Sequence, residues 1–437
     1  MNFLRHGLTP KMKPLSPKRT ALVAAIDIGT SKIACMIARL RPRPAQDVLP
    51  KRSHGIEIIG IGHMRASGIK GGNVVDLAQA EIAIRHAVAA AERMGHVQLE
   101  SVVVALAAGR LKSELFSATV HAAGPTVADG DIERVLAAGS RHSVRDGQAV
   151  VHSLPIGYAL DDARGIRDPR GMLGKSLGVD MHVVTSDVAA ARNLMLCVER
   201  CHLSVEAMVA TPYVAGLAVL TDDEAELGAA VVDIGAGTTT IAVFAGGHFV
   251  HADGFAIGGR HVTMDLARGL NARVADAERI KTLSGSVLSG GSDEREMITI
   301  SHPAEERETP HIVPRVNLVR IIKPRAEEIL EMVRDRLKGA PLSADGRVVL
   351  TGGTSQLNGL PDLATHILGR QVRIGRPLGL AGLPEAAKGP AFAVAAGLLV
   401  YPQLAYLEHF EPRRTRQMMT GTDNYFSRVG RWLRESF

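Results

Sequence analysis

Two stretches decide the fold. The first is Ala25-Ile26-Asp27-Ile28-Gly29-Thr30-Ser31-Lys32-Ile33-Ala34, and the second is Val231-Val232-Asp233-Ile234-Gly235-Ala236-Gly237-Thr238-Thr239-Thr240-Ile241-Ala242. Each reads as apolar strand, Asp, Gly-containing turn, hydroxyl residues, apolar strand. The two Asp residues lie 206 positions apart. That is too far for adjacent hairpins and suits one hairpin in each half of a duplicated fold.

These residue types suit phosphate. Gly in a hairpin leaves backbone N–H groups open to an anion, with no Cβ in the way. Gly29, Gly235 and Gly237 supply that freedom, and Thr30, Ser31, Thr238 and Thr239 add hydroxyl donors. Lys32 offers a countercharge. Asp27 and Asp233, at strand ends, suit a hydrated Mg²⁺, which keeps several of its waters. The pattern is not a P-loop, because no Gly-x4-Gly-Lys-Ser/Thr occurs. A third stretch, Val348-Val349-Leu350-Thr351-Gly352-Gly353-Thr354-Ser355, ends a strand in Gly-Gly. A purine–ribose could lie flat on such a backbone.

Around these motifs strand patterns alternate with helix patterns, which argues an α/β architecture. Helices are expected over Gln79–Met94 (apolar Ile82, Val88, Ala89), from about Asp187 to Cys201 with Asp187 as N-cap, and over Arg325–Leu337. The stretch 284–317 is rich in Gly, Pro and charge and reads as a loop-rich insertion. Ala391–Tyr401 is too short to span a bilayer and reads as a buried helix.

Composition narrows the function. Aromatic residues are 3% of 437, which disfavours a stacking-based single-strand binder. Three cysteines cannot build a disulfide framework. Cys197 and Cys201, followed by His202, read as a buried helix face rather than half a metal site, since no second cluster exists. The net charge of +6 is concentrated at the ends. Residues 1–20 hold five cations and no acid, and 411–437 hold six Arg against three acids, so the body between them is slightly acidic. Nucleic acid is therefore not an expected partner. Residues 1–20 lack an apolar h-region and read as a disordered basic tail, not a secretory signal.

The last thirteen residues have their own pattern. At about 100° per residue, Phe426, Val429, Trp432, Leu433 and Phe437 share an arc of about 140°, with Arg428, Arg431 and Arg434 outside it. An aromatic face flanked by Arg suits a helix lying in the interface of an anionic membrane.

Together the hairpins and the strand–Gly-Gly motif resemble the actin, sugar kinase and Hsp70 ATPase superfamily. Within it the chain resembles the FtsA family of bacterial cell-division proteins from about Ala21 onward. The resemblance also rests on Gly71-Gly72-Asn73-Val74-Val75-Asp76-Leu77, Val198–Leu203, Asp276-Ala277-Glu278-Arg279-Ile280-Lys281, Gln371–Pro377 and Val429-Gly430-Arg431-Trp432-Leu433-Arg434.

The resemblance implies an actin-like ATPase fold of two halves and four subdomains. These would be 1A (21–97 and 179–210), 1C (98–178), 2A (211–255 and 315–405) and 2B (256–314), then a linker (406–424) and the membrane helix (425–437). It implies ATP and Mg²⁺ in the cleft between the halves, with Glu278 and Lys281 reaching ribose and adenine and Gly352, Gly353 and Thr354 beside the nucleoside. Spacing alone reads Glu278 and Lys281 equally well as a surface i,i+3 ion pair.

The implied role is a scaffold that tethers polymers of the tubulin-like FtsZ to the cytoplasmic face of the inner membrane at the division site. It would bind FtsZ through 2B, recruit other division proteins and self-associate into protofilaments. No residue stands out as catalytic base, so hydrolysis is expected to be slow or negligible. Two alternatives are a PilM-like pilus assembly platform and a phosphotransfer enzyme of the same superfamily; the terminal Arg/Trp helix disfavours both.

Overall fold

Asp27 pairs across its hairpin with Ala34, and Asp233 pairs with Thr240. In both hairpins four residues lie between the last cross-strand pair, Gly29–Lys32 between Ile28 and Ile33 and Gly235–Thr238 between Ile234 and Thr239. Both close with the same bond, Gly29 N–H to Lys32 O at 3.0 Å and Gly235 N–H to Thr238 O at 2.9 Å. The computed structural model describes residues 9–107, 111–141, 145–290, 294–300 and 311–410.

The first half begins with β1 (Ala21–Ile28), β2 (Lys32–Pro42), β3 (His54–Arg65), the two-residue pair β4 (Ile69–Lys70) and β5 (Asn73–Val74), α1 (Leu77–Gly95) and β6 (Ser101–Leu106). An insertion follows: β7 (Lys112–His121), α2 (Asp129–Gly139), β8 (Gln148–Leu160), β9 (Ala163–Ile166) and β10 (Ser176–Asp187). The chain returns through α3 (Val188–Glu199) and β11 (Ser204–Ala210), then crosses by α4 (Thr211–Val219) and α5 (Asp222–Leu227).

The second half holds β12 (Ala229–Ile234), β13 (Thr239–Ala245), β14 (His248–Phe255), α6 (Gly259–Gly269), α7 (Val274–Ser284), β15 (Met297–Ile300), β16 (His311–Pro314) and α8 (Arg315–Leu337). It ends with β17 (Arg347–Thr351), α9 (Leu360–Leu368), β18 (Val372–Ile374), β19 (Leu380–Ala381) and α10 (Ala393–Val400).

The duplication is visible in the sheets. The first has the order β11-β6-β1-β2-β3-β19 and the second β14-β13-β12-β17-β18. In each, the Asp-bearing strand pairs antiparallel with its hairpin partner and parallel with a later strand, β6 in one half and β17 in the other. That later strand is buried, as parallel strands generally are. The insertion makes its own sheet, β7-β10-β8-β9, with α2 against it and a separate small core around Val135, Val179 and Met181.

Helices α4 and α10 cross beneath the junction of the halves. A Cβ on Gly397 would lie 1.9 Å from Val214 O, so the backbones meet where only Gly fits. Of the apolar 391–401 segment, Phe392–Tyr401 is buried there, with the helix over Ala393–Val400.

Several expectations are corrected. Residues 9–20 are not a free tail. Thr9 is fully buried and its N–H donates to Val150 O, Pro10 O accepts from Met208 N–H, and Met12 and Leu15 pack on the main core. Composition counted the cations and missed the apolar residues between them. Residues 1–8 lie outside the described residues.

The insertion starts later and ends later than 98–178. β6 belongs to the first half's sheet through Val103–Ala25 pairing, whereas β10 stays in the small sheet as far as Asp187. Helix α8 begins at Arg315 rather than Arg325 and carries Pro324 inside it. Leu318, Val319 and Ile322 continue the buried face before the proline, and that packing outweighs the lost bond. The 284–317 stretch contains the β15–β16 hairpin. On α1 the buried face is Ala80, Ala83, Ile84, Ala87, Val88 and Ala91, and Ile82 is exposed. The expected linker does not begin at 406, because the Glu408 side chain is buried and His409 N–H donates to Ser153 O at 2.9 Å. The membrane-helix reading of 425–437 falls outside the described residues.

Candidate nucleotide cleft

The hairpins meet in one cleft of about 560 Å³ between the halves. Asp27, Gly29, Thr30, Ser31 and Lys32 line it from the first half. Asp233, Gly235, Gly237, Thr238, Gly352, Gly353 and Thr354 line it from the second, with Glu278 and Lys281 of α7 at one side. Thr239 is the exception. Strand alternation turns it away, and its buried hydroxyl donates to Ile257 O at 2.8 Å.

Local geometry explains the glycines. Gly352 has φ +84°, and a Cβ there would lie 2.2 Å from Asp233 Oδ1. This glycine allows β17 to turn directly behind the carboxylate. Gly353 is open, with only Ala391 Cβ at 3.8 Å. Thr354 Oγ1 donates to Gly235 O at 2.9 Å, joining the Gly-Gly turn to the second hairpin. The Gly71-Gly72 stretch also reaches the site: Gly72 N–H donates to Thr30 Oγ1 at 3.3 Å.

The charges are held in a strained balance. Burial pushes Asp27 up to about 6, an effect opposed by Lys32. Burial and then repulsion from Asp27 push Asp233 up to about 7. Burial lowers Lys32, while both aspartates pull it back up. Lys32 Nζ donates to Ala391 O and sits 3.5 Å from the centroid of the Phe392 ring.

Two carboxylates facing one space, Asp233 buried and Asp27 half-buried, gain from a cation between them. No cluster of three or more metal-ligating side chains occurs among the described residues. The donor set therefore fits a cation that keeps its own waters and takes its other ligands from phosphate, as Mg²⁺ does.

Glu278 and Lys281 form the expected i,i+3 pair at 2.8 Å and also face the cleft. Lys281 Nζ is fixed further by Gly259 O at 3.1 Å and Thr263 Oγ1 at 2.9 Å. Sequence reading missed Thr211. It lines the cleft at the start of α4, is 4% exposed, and its Oγ1 has no hydrogen-bond partner among the described residues. Nothing in its local sequence distinguishes it from a helix-start residue. Cys197 is buried on α3, and burial pushes its thiol up to about 11, as expected for a core residue.

The chain is 52% identical over 431 residues to a cell division protein FtsA of Rhizobium meliloti, covering 98% of each chain. The chain belongs to the FtsA family of cell division proteins. The Escherichia coli K12 FtsA is 32% identical over 95% of this chain and 98% of its own length. Residues 230–397 match the family described as cell division protein FtsA, and residues 108–185 match the SHS2 domain inserted in FtsA. The latter range coincides with the β7–β10 insertion.

Solved structures carry the fold beyond FtsA. A PilM–PilN type IV pilus biogenesis complex aligns with TM-score 0.59 at 17% identity, over 87% of this chain and 98% of that one. MreB5 of Spiroplasma citri bound to ADP aligns with TM-score 0.51 at 13% identity, over 88% and 97%. At such identity these show the actin-like fold alone; the division assignment rests on the FtsA relatives.

Proposed function

We propose that this FtsA-family chain is an ATP-binding, actin-like scaffold that ties FtsZ polymers to the cytoplasmic face of the membrane at the division site. The observation that carries the nucleotide part is the convergence of both Asp-Gly hairpins and the Gly352-Gly353 turn on one cleft. Structural neighbours bound to ADP and to AMPPNP support that reading.

In this account the loop N–H groups of Gly29–Lys32 and Gly235–Thr238 take the phosphates. The Gly352-Gly353 backbone takes the nucleoside, with Glu278 and Lys281 at its ribose and base. Asp27 and Asp233 hold Mg²⁺ through water, and the ion supplies charge neutralisation. Binding across the cleft fixes the halves relative to one another, which is how a nucleotide sets a polymerising conformation.

The membrane contact falls to residues 425–437. No helix among the described residues is long and apolar enough to cross a membrane. One amphipathic segment per chain binds weakly, so protofilaments presenting many would be needed for firm attachment. FtsZ contact is assigned to subdomain 2B, within about 256–314, and recruitment of later division proteins completes the role.

The test is co-sedimentation of FtsZ polymers with anionic vesicles and Mg-ATP. FtsZ should pellet with vesicles only when this chain is present. Vesicle-bound chain that leaves FtsZ in the supernatant would reject the tether.

A further inference from the structure

A second and larger cavity, about 1230 Å³, lies between the inserted domain and the body. It exceeds the roughly 300–1,000 Å³ usual for small-molecule sites. Leu154, Pro155 and Ile156 of β8 form one wall and Phe244 and Phe249 of the second half another. We propose that this groove docks the chain's own C-terminal segment, residues 425–437, and holds its apolar face until lipid displaces it. The proposal rests on the reading of that segment as the lipid-binding element.

Three observations favour this occupant. First, the segment's root is already there. Tyr406, Leu407 and His409 line the groove, and Tyr406 is 58% exposed. Residues 411–424 then suffice to reach any part of it, since an extended chain covers on the order of 3.3–3.6 Å per residue.

Second, the groove offers carboxylates to the segment's arginines. The groove's basic side chains are engaged: Lys51 with Gly247 O, Arg52 with Leu217 O and Leu378 O, Arg167 with Glu226, and Arg170 with Asp129 and Asp168. Glu133 and Asp223 line the groove, are exposed, and have no ion-pair partner among the described residues. Among the described residues Lys51 and Arg52 donate only to backbone carbonyls, so the groove carries unpaired charge of both signs, with Glu133 and Asp223 as the carboxylates open to Arg428, Arg431 and Arg434.

Third, a 13-residue amphipathic helix is marginal alone in water. It gains by covering its aromatic face on protein when no lipid is near. Docking then lowers the apparent membrane affinity by the fraction docked, so soluble chains stay off the membrane and any event that opens the groove releases the anchor.

Trp432 is the single Trp of the chain, so its emission reports this segment alone. The experiment measures acrylamide quenching of the full chain in lipid-free buffer, with the urea-unfolded chain as the exposed reference. It uses wild type, Ile156→Glu and the surface pair Glu133→Lys with Asp223→Lys, each checked for unchanged circular dichroism. Wild-type emission should be blue-shifted and several-fold less quenched than the reference. Both variants should lose the protection and bind phosphatidylglycerol vesicles several-fold more tightly.

Wild-type quenching equal to the reference, or protection that both variants retain, would overturn the docking. Protection that vanishes on dilution would also overturn it, by placing the segment on a second copy. Vesicle binding separates the two readings. Binding with an unprotected Trp432 sinks the docking and keeps the anchor. Protection released by Ile156→Glu, without any vesicle binding, sinks the anchor and keeps the docking.

Discussion

A Cβ on Gly237 would lie 2.2 Å from Thr30 Oγ1. The loops of the two hairpins therefore touch across the cleft, one from each half, with Gly as the residue that permits it. Thr30 is itself buried and accepts from Gly72 N–H, so it has little room to retreat. The halves are set at a separation that one methyl group would alter.

Gly237→Ala should therefore wedge the loops apart. ATP affinity should fall by about tenfold or more, roughly 1.4 kcal/mol. Adding Thr30→Gly should recover part of the loss, because contacting residues couple non-additively. Calorimetric titration of the two single variants and the double checks this; strictly additive losses would contradict the contact.

The two glycines of the third motif should separate fold from ligand. Gly352→Ala places a methyl against Asp233 Oδ1 at a positive φ, and should destabilise the fold by about 1–3 kcal/mol. Gly353→Asp has open space and should fold normally while placing a carboxylate in the surface proposed to take the nucleoside. Thermal melts beside ATP titrations distinguish them. Equal melting loss in both would contradict the geometry.

The aspartate pair predicts a pH dependence. Asp27 and Asp233 stand at about 6 and about 7, above the ordinary aspartate value near 4. The folded chain thus holds more protons than the unfolded chain between about pH 4 and 7, and this pair lowers stability as pH rises through that window. Asp233→Asn should raise the melting temperature at pH 7.5 by a few degrees and change it less at pH 4.5. Wild-type Mg-ATP affinity should rise from pH 5.5 to pH 8 as both carboxyls ionise, and the variant should flatten that rise. A variant equally stabilised at both pH values would refute the assignment.

The ends of the described chain are clasped together. Glu408 accepts from His152 Nδ1 at 2.9 Å and from Tyr401 OH at 2.8 Å, and lies 3.7 Å from Lys11 Nζ. Lys11 also donates to Val151 O and sits 4.4 Å from the centroid of the Phe410 ring. Burial lowers Lys11 to about 8 against the pull of Glu408. Glu408→Gln should cost about 3–5 kcal/mol, since it leaves Lys11 buried without its partner. Adding Lys11→Met should return part of that loss. A melting temperature unchanged by Glu408→Gln would show that the clasp carries no stability.

Much of this was legible in the sequence because the informative signals are local. The Asp-x-Gly hairpins and the Gly352-Gly353 turn need particular residues at particular steps, and chemistry and backbone demand the same ones. Thr239 was misplaced because a run of three threonines hides which of them alternation turns inward. The N-terminal segment was misread because the partners of Lys11 are distant in sequence: Val151, Glu408 and Phe410, the last two nearly four hundred positions away. Pro324 masked ten residues of helix, since tertiary burial of Leu318 and Ile322 outweighs a local breaker. Thr211 and the larger groove are products of the assembled halves and have no local pattern at all.

The central claim is that the two hairpins form a single Mg-ATP site. Its most direct test is a calorimetric titration of Mg-ATP into the wild-type chain and into Asp27→Asn with Asp233→Asn. The account predicts one site per chain in the wild type and an affinity about a hundredfold weaker in the double variant, roughly 2.7 kcal/mol. Equal affinity in the two proteins, or no binding by the wild type, would contradict it.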